Sequence, residues 1–200
     1  MSARRTFLRD SRAASAAEFA LVLPIFLIFM VGIIDVGLYA WSINRAEKAT
    51  QTGTRWAVAT DLVPAALRDY SYAVSGGIPQ GEVVPQGSFP DVICSGTTTV
   101  SCTGNNLFTA ANQAAFTAII NRMNQIDRRI ANENVRVIYS WSGLGFAGDP
   151  NGPDVAPIVT IELSDLEFSP ITGLIFGATV DLPTLTYSLT SEDGSGNISN

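Results

Sequence analysis

An apolar run from Phe19 to Trp41 constrains this chain more than any other feature. It holds 23 residues and one charged side chain, Asp35. An α-helix of this length rises ~1.5 Å per residue and is about 35 Å long, which is enough to cross a hydrocarbon core of ~30 Å. Tyr39 and Trp41 end the run with aromatic rings, which are favoured at membrane interfaces. The run therefore predicts a transmembrane helix over about 19–41.

Residues 1–13 form a short basic leader before this run. Under the positive-inside rule, its arginines hold the amino terminus in the cytoplasm, so the rest of the chain is expected to be exported. A conventional signal peptide has an apolar region of only ~7–15 residues and a closely following A-x-A site. Here the run is longer and no such site closely follows it, so an uncleaved or differently cleaved anchor is favoured. The charged residues of the leader are Arg4, Arg5, Arg9, Asp10 and Arg12.

The helical pattern continues beyond the apolar run. No proline interrupts residues 42–63, and Pro64 marks the expected end. The sequence predicts one helix over 14–61, with its first part in lipid and its second part packed on an exported domain, 62–200. The stripe expected to face that domain is Ile43, Ala46, Ala49, Gly53, Trp56, Ala57 and Ala59.

The exported domain predicts an α+β fold. Residues 74–106 are rich in Gly, Pro, Ser and Thr and predict a long loop. An amphipathic helix is expected from Leu107 to about Arg129, capped by Asn105 or Asn106. Alternating apolar residues then predict three strands, near 135–141, 158–163 and 182–189. We expect an antiparallel sheet of about three strands, with one face packed on the helices.

The two cysteines, Cys94 and Cys102, lie in the predicted loop. In an exported domain they are expected to form a disulfide worth roughly 2–3 kcal/mol by loop-entropy arithmetic. Two free thiols, or half of a metal site, are the alternatives.

Composition bears on several function classes. The formal net charge is −6, and the 187 residues after the leader carry 8 basic and 17 acidic side chains, or −9. This argues against a nucleic-acid partner. The chain has no histidine, which removes Ser-His-Asp and Cys-His catalysis and the commonest metal ligand. We therefore expect no enzyme activity, cofactor, metal site or small-molecule substrate.

Two acidic residues lie at or within the apolar run. Glu18 precedes it, where a charge costs several kcal/mol if it enters the hydrocarbon. The bland interpretation is a glutamate favoured by the dipole of a first helical turn at headgroup depth. Asp35 is expected near the far interface, with pairing to a partner protein as the alternative.

The segment AASAAEFALVLPIFLIFMVGIIDVG, residues 13–37, resembles the TadE-like family. These are pilin-like proteins of bacterial tight-adherence (Flp-type) pilus systems. The likeness is closest over Glu18–Pro24, extends weakly through Arg55–Ala57, and has less specific echoes in VTIEL and FSPITGL near the carboxyl end.

This resemblance implies processing by an inner-membrane prepilin peptidase. Glu18 would be the fifth mature residue, so Ala14 would be the first and the bond after Ala13 would be cut. Glycine usually stands where this chain has Ala13. Glu18 and Phe19 would serve in recognition and recruitment, because a free amine at Ala14 would neutralise the glutamate of a neighbouring helix.

The function implied is that of a minor pilin in pilus biogenesis. It would be a single-pass protein of the inner membrane with a periplasmic head, possible entry into an extracellular pilus, and other pilins and the assembly platform as partners. The alternative is an uncleaved, single-anchor exported binding or adhesion module that is unrelated to pili and uses loop 74–106 as its contact surface.

Overall fold

The computed structural model describes residues 11–150, 152–173 and 177–191. Most of the predicted basic leader therefore lies outside the described residues. A single helix, α1 (Ser11–Val58), has 48 residues and a length of about 72 Å. Each of its ends lies three residues earlier than the predicted bounds of 14 and 61.

The chain divides into two compact units. The anchor unit holds α1 up to Ser42 together with the segment Glu167–Val180. The head unit begins at Ile43, in the same helix, and continues to Leu166. Of the later described residues, 181–191 belong to it.

The head unit is built on a five-stranded antiparallel sheet of order β2-β1-β3-β4-β7. Two further strands, β5 and β6, form a separate two-stranded sheet. The α+β class and the antiparallel sheet are confirmed, but the expectation of about three strands is wrong. The strands are β1 (Val92–Ser95), β2 (Ser101–Thr103), β3 (Val135–Ser140), β4 (Ile158–Leu163), β5 (Glu167–Phe168), β6 (Val180–Asp181) and β7 (Leu185–Thr190).

The two central strands follow the predicted alternation. Val137 lies opposite Ile161 and Tyr139 opposite Val159, and all four side chains are buried. Because successive residues of a strand point to opposite faces, this register collects the apolar side chains on the core side of the sheet.

The predicted amphipathic helix is present but shorter. Helix α2 (Gln113–Asn124) begins after Asn112, whose side-chain oxygen accepts hydrogen bonds from the N–H groups of Ala114 and Ala115, both at 3.1 Å. That oxygen satisfies two amides that a helix start leaves without acceptors. Asn105, one of the two expected caps, instead accepts from the N–H of Leu107. The buried face of α2 is Ala115, Phe116, Ile119, Ile120 and Met123.

The last part of α1 belongs to the head unit and buries a stripe of small side chains. A Cβ placed on Gly53 would lie 2.6 Å from Cγ of Met123 on α2, so the two helices approach closely there. Trp56 departs from the prediction because it is 39% exposed and lies beneath the guanidinium of Arg122, 5.6 Å from the ring centroid. Ala46, Ala49 and Ala57 of the predicted stripe are fully buried, and Thr54, which the prediction did not include, is fully buried as well.

The region predicted as a long loop, 74–106, contains β1, β2 and a short 3₁₀ turn at Gln86–Ser88. Strands of four and three residues are too short to show a clear period of two, so the composition of the region dominated the prediction. Val92 and Cys94 are buried, which makes β1 part of the core.

Candidate functional site

The first part of α1 exposes apolar side chains around its whole circumference. From Ser15 to Ile34, only Val31 and Gly32 are even partly buried. A helix that is apolar on every side and uncovered by its own protein is suited to lipid rather than to water. It is the one helix among the described residues that is long and apolar enough to cross a membrane. The largest exposed side chains include Phe19, Leu21, Ile25, Phe26, Phe29 and Ile33.

Pro24 lies within this helix. Proline has no N–H, so the carbonyl of Ala20 lacks its usual donor four residues later. Such an interruption is tolerated in membrane helices, where neighbouring helices, side chains or local adjustments satisfy the free carbonyl.

The residues predicted for processing and recruitment lie together at the start of α1. The bond between Ala13 and Ala14 falls in the first turn, where backbone N–H groups have no acceptor within the helix. The end turn of a helix also frays more readily than its interior. Glu18 and Phe19 follow one turn later, and both side chains are exposed.

A second feature of the anchor unit is Asp35, which is 7% exposed. One of its carboxylate oxygens accepts from the N–H of Ile171 at 2.7 Å. The other accepts from the N–H of Thr172 at 2.8 Å and from its hydroxyl at 2.6 Å. The acid thus holds a turn of its own chain, an arrangement that neither sequence-based alternative contained. The signal in the sequence was a lone acid in an apolar run, but nothing there identified its donors.

An aromatic contact lies beside this turn. The rings of Tyr39 and Phe168 meet edge to face, with centroids 5.6 Å apart. Such a pair contributes about 0.5–1.5 kcal/mol beyond the area it buries. The segment Glu167–Val180 is therefore joined to the helix by polar and apolar contacts.

The predicted disulfide is present between Cys94 and Cys102. The two residues are directly opposite in the antiparallel pair of β1 and β2. The bridge therefore fastens an edge strand of three residues to the sheet. Two free thiols and a metal half-site are excluded as descriptions of these cysteines.

The head unit contains a buried acid with two arginines. Asp127 accepts from Arg129 at 2.7 Å and from Arg45 of α1 at 3.4 Å. Burial by itself would raise the pKa of Asp127, but hydrogen bonds from Arg129 and the charges of Arg129 and Arg45 outweigh it, so the pKa is lowered. Arg45 also donates to the carbonyl of Ile126. This cluster fixes the part of α1 that enters the head unit.

The side chain of Asp154 binds the backbone of two other segments of the head unit. Its two carboxylate oxygens accept from the backbone N–H groups of Tyr72, at 2.6 Å, and Asp149, at 3.1 Å. Asp154 is 4% exposed. The carboxylate is thus engaged by backbone donors of the head unit.

These features define a class of protein, one with a single apolar anchor helix that continues into a small, disulfide-bridged α+β head. Residues 13–55 match the model of the family described as TadE-like protein. Over these residues, the match confirms the resemblance drawn from the anchor sequence. No curated protein and no solved structure matches the chain.

Proposed function

We propose that this chain is a pilin-like structural protein of a bacterial tight-adherence pilus and acts as a minor pilin in its biogenesis. One observation carries the proposal: an exposed apolar helix has Glu18 at its start and continues without a break into the head unit. Such a helix can reside in the membrane and later pack against equivalent helices in a filament. The role is structural, without catalysis or a small-molecule substrate.

The anchor crosses the inner membrane with its amino terminus in the cytoplasm and its head in the periplasm. The arginines of the leader support this orientation. The bridge between Cys94 and Cys102 supports it independently, because disulfides persist in oxidising compartments such as the periplasm.

A prepilin peptidase cuts the bond between Ala13 and Ala14 in this proposal. The bond lies in the first helical turn, which opens at little cost. Cleavage removes the basic leader and leaves a positive amine at Ala14, four residues before Glu18. The exposed carboxylate of Glu18 then neutralises the amine of a neighbouring helix, which offsets the cost of bringing either charge into an apolar surrounding. Other pilins and the assembly platform are the partners.

The test of processing is the mass of the protein purified from membranes. In cells with an active prepilin peptidase, the amino-terminal residue should be Ala14. In cells that lack the peptidase, it should remain Met1 or Ser2. An intact leader in both strains would contradict the processing step.

The test of recruitment uses Glu18→Ala. The variant should be processed and accumulate in the membrane, yet fail to support pili. Glu47→Ala is the matched control, because Glu47 is an exposed glutamate further along the same helix, and it should leave piliation unchanged. Normal piliation by Glu18→Ala would assign Glu18 to the headgroup region without a role in assembly.

A second candidate function is an uncleaved, single-anchor adhesion module unrelated to pili. The observation that favours it is the exposure of two apolar side chains in the region 74–106, with Val74 at 85% and Val83 at 55%. This alternative predicts an intact leader and unchanged piliation when the gene is deleted. It also predicts that Val74→Asp with Val83→Asp weakens surface attachment, whereas the pilin proposal predicts loss of pili on deletion.

A further inference from the structure

The uncharged stretch between the two acids of the anchor helix is shorter than the hydrocarbon core is thick. Glu18 and Asp35 enclose 16 uncharged residues, about 24 Å of helix. A hydrocarbon core is ~30 Å thick and takes about 20 residues. One of the two acids must therefore lie inside the core unless the bilayer thins.

Asp35 is better suited than Glu18 to a position inside the hydrocarbon core. The side chain of Glu18 is exposed, whereas Asp35 is 7% exposed and accepts three hydrogen bonds. Twenty residues counted from Phe19 reach Leu38, which places Asp35 about 4.5 Å inside the core. Apolar residues continue beyond it, with Val36 at 70% and Leu38 at 37% exposure.

The turn that binds Asp35 must lie at the same depth. Backbone N–H groups in hydrocarbon need acceptors, and irregular backbone is tolerated there only where protein satisfies it. Asp35 supplies acceptors for the N–H groups of Ile171 and Thr172. The carboxylate therefore supplies acceptors for the two N–H groups of the turn, and the turn supplies donors for the carboxylate.

The sequence around this turn is suited to lipid. No charged residue occurs from Phe168 to Val180, while Glu167 and Asp181 stand immediately outside that range. Ile171 is 43% exposed and Val180 is 44% exposed. A 13-residue uncharged stretch bounded by acids is the pattern of a segment that enters an apolar medium between two polar ends.

We propose that the turn Phe168–Gly173 is a second membrane element, which Asp35 holds against the anchor helix so that Ile171 inserts among lipid acyl chains. Lipid is favoured over a second copy of the chain because this surface continues the lipid-facing surface of α1. The segment then anchors the protein in the leaflet opposite the leader. This inference rests on the proposed membrane span of α1.

Collision measurements on spin labels test it in the full-length protein, reconstituted in nanodiscs of phosphatidylethanolamine and phosphatidylglycerol. Labels are placed by Ile171→Cys, Leu27→Cys and Val74→Cys, without reductant, so that the native disulfide stays closed. Leu27, 52% exposed, reports the span, and Val74, 85% exposed, reports water. Molecular oxygen partitions into lipid, and a nickel chelate stays in water.

The label at Ile171 should collide more often with oxygen than with the nickel chelate, as the label at Leu27 should. The label at Val74 should collide more often with the nickel chelate. Accessibility of the Ile171 label to nickel would refute insertion while the Leu27 label still reported lipid. Shielding of the Ile171 label from both reagents would assign the surface to a second copy. Nickel access at Leu27 would instead refute the span itself, and with it the proposed anchoring.

Asp35→Leu tests the tether. The Ile171 label should lose its excess of oxygen collisions, while the Leu27 label stays unchanged. Glu47→Leu removes an exposed acid of the same helix and should move neither label. An unaltered Ile171 label in Asp35→Leu, with Leu27 in lipid, would show that Asp35 does not hold the turn in place.

Discussion

Thr172 donates both its backbone N–H and its hydroxyl to one carboxylate oxygen of Asp35, 137 positions earlier in the chain. The other oxygen receives the N–H of Ile171. An acid in an apolar helix is thereby satisfied by its own protein. The contact also joins a late segment of the chain to helix α1.

Removing this acceptor should expose the two amides to exchange. In Asp35→Leu, the N–H groups of Ile171 and Thr172 lose their partner, and a buried donor without an acceptor costs about 1–3 kcal/mol. Their hydrogen exchange in detergent should accelerate by roughly 5- to 150-fold. Thr172→Val is the matched variant because it removes only the hydroxyl. Both amides should then stay protected, and equal acceleration in the two variants would assign the protection to something other than Asp35.

The parts of the fold that the sequence predicted well are those with a local signal. A long apolar run identifies the anchor helix. Strand β4 has a regular alternation of apolar and polar residues, and its predicted bounds of 158–163 match the structure. The start of α2 was misplaced because three asparagines precede it and each is a suitable cap. The structure identifies Asn112 as the residue that caps it.

The parts that were missed depend on residues far apart in the chain. Strand β1 pairs with β3 more than 40 positions later, and its four residues carry little pattern of their own. The donors of Asp35 are a further case, because Ile171 and Thr172 look like ordinary loop residues until the chain is folded. The disulfide was predictable because the chain has only two cysteines, so only one pairing within the chain exists.

The stability of the head unit should depend on pH through Asp127. Interactions with Arg129 and Arg45 hold the pKa of this carboxyl below its usual value of 3.8. A group with a depressed pKa in the folded state contributes stability that is complete above its unfolded pKa and is lost as the pH falls through the folded pKa. The difference in unfolding free energy between the natural protein and Asp127→Asn should therefore be largest near pH 7 and should shrink below about pH 4.

Urea unfolding of the full chain in detergent, followed by near-ultraviolet circular dichroism, measures this difference. Glu133→Gln serves as the control, since Glu133 is exposed, and its effect should be small at every pH. A constant difference for Asp127→Asn between pH 7 and pH 3 would mean that packing rather than charge sets its contribution.

The stability of the head unit should depend on the hydroxyl group of Tyr139. Its hydroxyl accepts from the N–H of Val63 at 3.0 Å, and both residues are fully buried. Burial also raises the pKa of Tyr139, so the phenol stays neutral in the folded protein. Tyr139→Phe leaves the amide of Val63 without a partner and should cost about 1–3 kcal/mol of unfolding free energy.

Tyr187→Phe is the comparison for that variant, because Tyr187 lies at the half-exposed face of β7. Its urea midpoint should shift much less. Equal shifts would indicate that the hydrogen bond to Val63 contributes little.

Gly53 should be the least tolerant glycine of α1. A Cβ there would lie 2.6 Å from Cγ and 2.8 Å from Sδ of Met123, a fully buried side chain. Gly53→Ala gains about 1 kcal/mol of helix propensity, but overpacking typically costs about 1–3 kcal/mol. We therefore expect a net loss of up to about 2 kcal/mol, read as a lower urea midpoint.

The cause of this loss can be separated from any general effect on the helix. Gly37→Ala adds the same methyl group to α1 where nothing lies within 4 Å, and it should not lower the midpoint. Adding Met123→Ala to Gly53→Ala frees the space that the new Cβ needs, so the two effects should be less than additive. Strict additivity would mean that Met123 does not restrict Gly53, and that α1 and α2 adjust their separation freely.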